Sequence, residues 1–214
     1  KIRRQAELFG FGRSIRVPLL VTPSVYPDSM DDAQTGLSAF GQFDVRVTPM
    51  QMAMVASAIA NGGTLMKPNL IENVLSSNLA SLYQPKPVEY SKPVSPNTAK
   101  LLTEMMVKAV SSGVSGNGQV PGVRTAGKTG TAQNGENDPY TLWFTGFAPA
   151  ENAKVAVAVV IEDGGGMGQN GRGNSLAAPV ARMCRSASGT CSDPRAAWSP
   201  SFRSSWRTAS RSRP

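Results

Sequence analysis

Apolar positions follow a helical period twice in the first half of the chain and gather into short runs in the second. Met50, Met54, Val55, Ala58 and Ile59 fall on one face of a predicted helix. Thr48 is a favourable N-cap, Pro49 suits the first helical position, and Asn61-Gly62-Gly63 is a stop signal. A second helix is predicted from Ser95-Pro96 through Leu101, Leu102, Met105, Met106, Ala109 and Val110, closing at Gly113. Its methionines read as core, because an unbranched thioether fills irregular gaps. Residues 1–12 read as the end of a helix closing at Gly10 and Gly12. Residues 13–36 carry Pro18, Pro23 and Pro27 without a period and are predicted to be loop.

Beyond residue 122 the period shortens. Residues 123–128, 142–148 and 155–161 are strand-like, with turns over 134–139 and 149–152. Connections this short imply an antiparallel meander, since a parallel crossover needs about a dozen residues. Residues 163–173 form a glycine-rich loop. Asn174-Ser175 is positioned to cap a last helix beginning Leu176-Ala177-Ala178-Pro179, and no convincing period continues it past about Met183.

Composition narrows the chemistry. A chain of 214 residues accommodates one sizeable core. Its net charge of +8 is concentrated in the tail, where residues 180–214 hold 7 arginines and one aspartate. The basic balance is therefore not a nucleic-acid footprint of the fold, and no nucleic-acid partner is expected. There is no histidine, which removes Ser-His-Asp and Cys-His nucleophile activation and leaves a lysine to handle protons. Cys184 and Cys191 form neither a zinc motif nor a disulfide framework. No run of about 18 apolar residues is present, and no metal or cofactor is implied. The chain opens at Lys1 in what reads as the middle of a helix, so it is read as a fragment.

The chemistry concentrates in Arg124-Thr125-Ala126-Gly127-Lys128-Thr129-Gly130-Thr131-Ala132-Gln133, where an ammonium, hydroxyls and a bare backbone can approach one anion. Gly122 to Thr129 spells a phosphate loop, G-x-x-x-x-G-K-[ST]. That reading requires a buried strand before it and a helix after it. Residues 111–121 are Ser, Gly, Asn and Pro rich, and Gly130 to Gly135 cannot open a helix, so nucleotide binding is a minor alternative. Gly166-Met167-Gly168-Gln169-Asn170-Gly171 matches a dinucleotide fingerprint, but no second strand with an acidic residue follows it.

The other reading is the Lys-Thr-Gly element of serine acyl-transferases, and the resemblance extends along the chain. Phe9-Gly10-Phe11-Gly12, Gly41-Gln42-Phe43-Asp44-Val45-Arg46-Val47-Thr48-Pro49-Met50-Gln51-Met52-Ala53 and Ile59-Ala60-Asn61-Gly62-Gly63 are similar to family segments. Lys128-Thr129-Gly130-Thr131, Trp143-Phe144-Thr145-Gly146-Phe147-Ala148-Pro149 and Ala177-Ala178-Pro179 follow in family order. Residues 1–182 thus resemble the C-terminal part of a class B penicillin-binding protein transpeptidase domain.

The resemblance implies an α+β fold of the penicillin-binding and β-lactamase-like type, with helices packed on an antiparallel sheet and incomplete at the N-terminus. It implies a D,D-transpeptidase that crosslinks peptidoglycan stem peptides ending in D-Ala-D-Ala and is acylated by β-lactams. Lys128, Thr129, Gly130 and Thr131 would bind substrate, with Lys128 also catalytic and the Thr131 N–H an oxyanion donor. Cell-wall synthesis or division proteins would be partners, and the enzyme would act outside the cytoplasm on a membrane anchor upstream of Lys1. The chain departs from the pattern in one respect: no serine has a lysine three residues on. Ser76-Ser77-Asn78 and Ser115-Gly116-Asn117 spell the second motif but stand in the wrong place, so nucleophile and second motif are expected upstream. Residues 183–214, rich in Arg, Ser and Pro, form a separate tail, disordered or read from a shifted frame. An alternative function is an inactive binding fragment whose tail holds anionic polymer.

Overall fold

The computed structural model describes residues 1–185 apart from Pro18 and Leu20. Apart from residues 183–185, the expected tail lies outside the described residues, and so does its polymer-binding role. Helix α1 (Ile2–Leu8) ends as expected, turning at Gly10 with φ +101°. The expected loop over 13–36 is only partly so, because α2 (Asp32–Ser38) forms within it. Asp31 accepts from the Gln34 amide and Gln34 accepts from the Asp31 amide, a reciprocal capping box. Its seven residues bury only Ser38, so it carries no apolar period to read.

Helix α3 (Pro49–Ala60) is the central helix. The Thr48 hydroxyl accepts from the Gln51 amide, Pro49 occupies the first turn, and Gly62 and Gly63 leave with positive φ. A side chain at Gly63 would clash with the Val94 carbonyl. Four short strands follow, β1 (Leu65–Met66), β2 (Val74–Leu75), β3 (Ser81–Tyr83) and β4 (Glu89–Ser91), pairing as two ribbons, β1 with β4 and β2 with β3. Helix α4 (Pro96–Ser111) is capped by Ser95 at the Thr98 amide. Only part of its expected core face is buried. Met106 and Val110 are inside, whereas Leu101 and Met105 are exposed.

The main sheet is the predicted meander: β5 (Ala126–Ala132), β6 (Thr141–Ala148) and β7 (Val155–Ile161), antiparallel in the order β5-β6-β7. The first strand lies later than the expected 123–128. Val123 belongs to a turn, and the Gly-Lys-Thr-Gly-Thr run, poor in intrinsic strand formers, is held extended by pairing to β6 from Ala126 to Ala132. Side-chain alternation gives the sheet two faces. Ala126 and Phe147 pack with Ala56 of α3 and Met106 of α4, while Phe144 packs beneath α5 (Gly173–Arg185) against Ala177, Ala178 and Ala181.

Helix α5 corrects the expected helix start: it begins at Gly173, contains Pro179 and runs to Arg185. Asn174 does not cap it; its Oδ1 accepts from the Asn117 amide, 3.0 Å away on the α4–β5 connection. Among the described residues no helix is long and apolar enough to cross a membrane.

Candidate active site

Among the described residues strand β5 is an edge strand, paired only with β6. In an antiparallel ladder alternate residues turn their N–H and C=O groups toward the neighbour and away from it. Thr129 turns away: its amide donates to Ser115 Oγ at 3.1 Å. The Gly127–Gly146 pair agrees with this phase. A Cβ on Gly146 would stand 2.9 Å from Gly127 Cα, the close approach of a non-hydrogen-bonded pair. Thr131, two residues beyond Thr129, therefore directs its N–H to the same outer edge.

Lys128 and Gly130 pair with Thr145 and Trp143 on the α3 face. Lys128 is exposed, and its Nζ donates to the Thr129 carbonyl at 2.6 Å, which brings the ammonium over the outer edge. Gly130 leaves Trp143 uncovered, since a Cβ there would stand 3.2 Å from the Trp143 Cβ. Thr129 and Thr131 occupy the opposite face. The Thr129 hydroxyl is 3.3 Å from Ser115 Oγ, while Thr131 is exposed. All four line one open cleft of about 350 Å³. Its far wall is apolar, built from Phe11, Tyr26, Phe40, Val45, Val47 and Met52.

Two devices hold β5 at its start. Thr125 is buried, and its hydroxyl donates to the Val123 carbonyl and accepts from the Val120 amide. Arg124 bridges Glu151 of the β6–β7 turn and Glu104 of α4, both at 2.5 Å. The hydrogen bond from Arg124 holds the Glu151 carboxyl below its ordinary range, and the same bond raises the Arg124 guanidinium.

The phosphate-loop reading fails on this geometry. Gly122 sits in a turn rather than after a strand, and Thr129 to Ala132 continue β5 instead of opening a helix. In the loop over 163–171, Gly164, Gly165, Gly166 and Gly168 turn the chain at positive φ. Ser76-Ser77-Asn78 lies at the β2–β3 turn and does not line the cleft. Ser115-Gly116-Asn117 lies on the α4–β5 connection, with Ser115 wholly buried against β5. Sequence reasoning missed that role, as it missed the apolar wall. The only local signal was a hydroxyl in the tight connection after Gly113.

A three-stranded antiparallel sheet with helices on both faces and a Lys-Thr-Gly edge strand beside a cleft corresponds to part of the penicillin-binding transpeptidase fold. A family profile described as the penicillin binding protein transpeptidase domain matches residues 1–184, and the chain belongs to that family. It is 40% identical over 186 residues to the peptidoglycan D,D-transpeptidase PbpA of Mycolicibacterium smegmatis, covering 85% of this chain and 38% of the relative. The fold is similar to penicillin-binding protein A from M. tuberculosis, solved as a ceftriaxone acyl-enzyme complex, with a TM-score of 0.82 and 37% identity over 88% of this chain and 43% of that one. A D,D-transpeptidase domain from Eggerthella lenta gives 0.70 and 30% identity, over 86% and 46%. The chain thus spans less than half the length of these relatives.

Proposed function

We propose that this chain carries the substrate-binding strand of a peptidoglycan D,D-transpeptidase whose nucleophilic serine and second motif precede Lys1. The observation that carries the reading is the outer edge of β5, where the Lys128 ammonium and the direction of the Thr131 N–H meet beside a cleft. A D-Ala-D-Ala terminus laid along this edge places its carboxylate by Lys128 and the two threonines. Gly130 leaves room for its backbone over Trp143. The serine oxygen attacks the penultimate D-Ala carbonyl, and the Thr131 N–H stabilises the oxyanion. Such a donor is worth about 10²- to 10³-fold in rate. Collapse expels the terminal D-Ala, its nitrogen taking a proton, and an amine of a second stem peptide then takes the acyl group and releases the serine. Lys128 assists proton transfer and neutralises charge without any histidine. β-Lactams present the same carbonyl and carboxylate and remain bound as the acyl-enzyme. The work takes place outside the cytoplasm, with an upstream anchor and cell-wall synthesis or division proteins as partners.

Intact-mass measurement after penicillin incubation tests this. The protein extended upstream of Lys1 gains one penicillin mass, and residues 1–214 alone gain none. An adduct on the shorter chain would overturn the placement of the serine, and none on the longer chain would overturn the activity.

A further inference from the structure

An edge strand that binds an extended peptide faces a register problem. Its outward amides repeat every second residue, so a slip of two residues presents the same pattern again. On β5 one of these amides is already taken. Ser115 Oγ accepts from the Thr129 N–H at 3.1 Å, and the hydroxyl is also 3.3 Å from Thr129 Oγ1.

Ser115 is placed firmly enough to keep that bond. It is wholly buried, so water does not compete for its hydroxyl. Its own amide donates to the Ala109 carbonyl at 2.9 Å, and its carbonyl accepts from the Gly118 amide at 3.0 Å. The same connection is tied to α5 by the Asn117 amide and Asn174 Oδ1. At Gly113 the chain passes so near Ala109 that a Cβ would stand 2.9 Å from its Cα, which fixes where the turn leaves α4.

We propose that Ser115 is a positioning residue that sets the register of the acyl-donor peptide on β5. By occupying the Thr129 amide it leaves Thr131 as the first open donor, so the scissile carbonyl reaches Thr131 and not a site two residues away. The proposal rests on the transpeptidase reading of the cleft.

The test uses the protein extended upstream of Lys1 and a thioester analogue of an N-acyl D-alanyl peptide, with thiol release as the readout. In Ser115→Ala the connection loses the bond that holds it on β5, so it can lift from the strand edge and expose the Thr129 amide to a second, unproductive register. Unproductive binding lowers kcat and KM together by one plus the ratio of unproductive to productive affinity, so a competing register of comparable affinity lowers each by about 2-fold. Their ratio stays near wild type, and Ser115→Thr, which keeps the hydroxyl, restores both. Unchanged kcat and KM would overturn the proposal. So would a fall in kcat/KM at constant KM, the signature of a merely loosened strand. If the wild-type protein releases no thiol, the transpeptidase reading has failed, and Ser115 is then judged by hydrogen exchange at the Thr129 amide. Exchange at least about 10-fold faster in Ser115→Ala supports the lock, and equal exchange overturns it.

Discussion

Gly173 lies directly against Gly130: a Cβ on Gly173 would stand 2.7 Å from the Gly130 carbonyl oxygen and 2.5 Å from that of Trp143. The first residue of α5 is thereby pressed onto the backbone of β5 and β6. Both obstructing atoms are main chain and cannot swing aside as a flexible side chain would. Gly173→Ala is therefore expected to cost about 1–3 kcal/mol, the range for overpacking, read as a lower denaturant midpoint at unchanged slope. A neutral result would mean that α5 is free to lift from the sheet.

Phe144 and Gly127 form a second tight pair, since a Cβ on Gly127 would stand 2.4 Å from the Phe144 Cζ. Phe144 is fully buried beneath Ala177, Ala178 and Ala181, and Phe144→Ala should cost about 3–5 kcal/mol. Gly127→Ala alone should also destabilise, but less so once the ring is gone. A double-mutant cycle should give a coupling of at least about 0.5 kcal/mol. Simple additivity would show that the ring does not set the size limit at position 127.

How far the chain could be read from sequence follows from the range of the interactions involved. Helix α3 was legible because its cap, first-turn proline and terminal glycines all lie within residues 48–63. The meander was legible because turn residues separate its apolar runs. Helix α2 and strands β1 to β4 are too short to establish a period; their ends are fixed by a cap and by cross-strand pairing. Lys128, Thr129, Gly130 and Thr131 were visible as a run of small and polar residues that disfavours ordinary burial. Ser115 was not, because its meaning depends on a contact 14 residues away across a turn.

The Arg124–Glu151 contact predicts a pH dependence. The folded pKa of Glu151 lies below its ordinary value of 4.5, chiefly through the hydrogen bond from Arg124. Its stabilising contribution is therefore fully present above that value and is lost as pH falls through the folded pKa. Stability measured from pH 7 downward should fall less steeply for Glu151→Gln than for the wild type, the two converging at the acid end. Both side chains are about half exposed, so added salt should shrink the difference. Parallel curves at all pH values would remove the ion pair from the acid response.

The position of the Lys128 ammonium leads to the most direct functional prediction. Nζ now rests on the Thr129 carbonyl at 2.6 Å, at the edge along which the substrate carboxylate is proposed to lie. A hydrogen bond to a charged group is worth about 1.5–3 kcal/mol. Lys128→Ala in the upstream-extended protein should therefore slow penicillin acylation by about 10- to 100-fold, because each 1.36 kcal/mol is tenfold in rate. Exposure of the side chain predicts that thermal stability stays within about 0.5 kcal/mol of wild type. Lys128→Arg keeps the charge but replaces a compact ammonium with a planar fork that neither moves protons at neutral pH nor fits the same point. It should recover carboxylate binding more fully than acylation rate. Equal recovery of both would reduce Lys128 to an anion anchor, and unchanged acylation in Lys128→Ala would remove it from the mechanism.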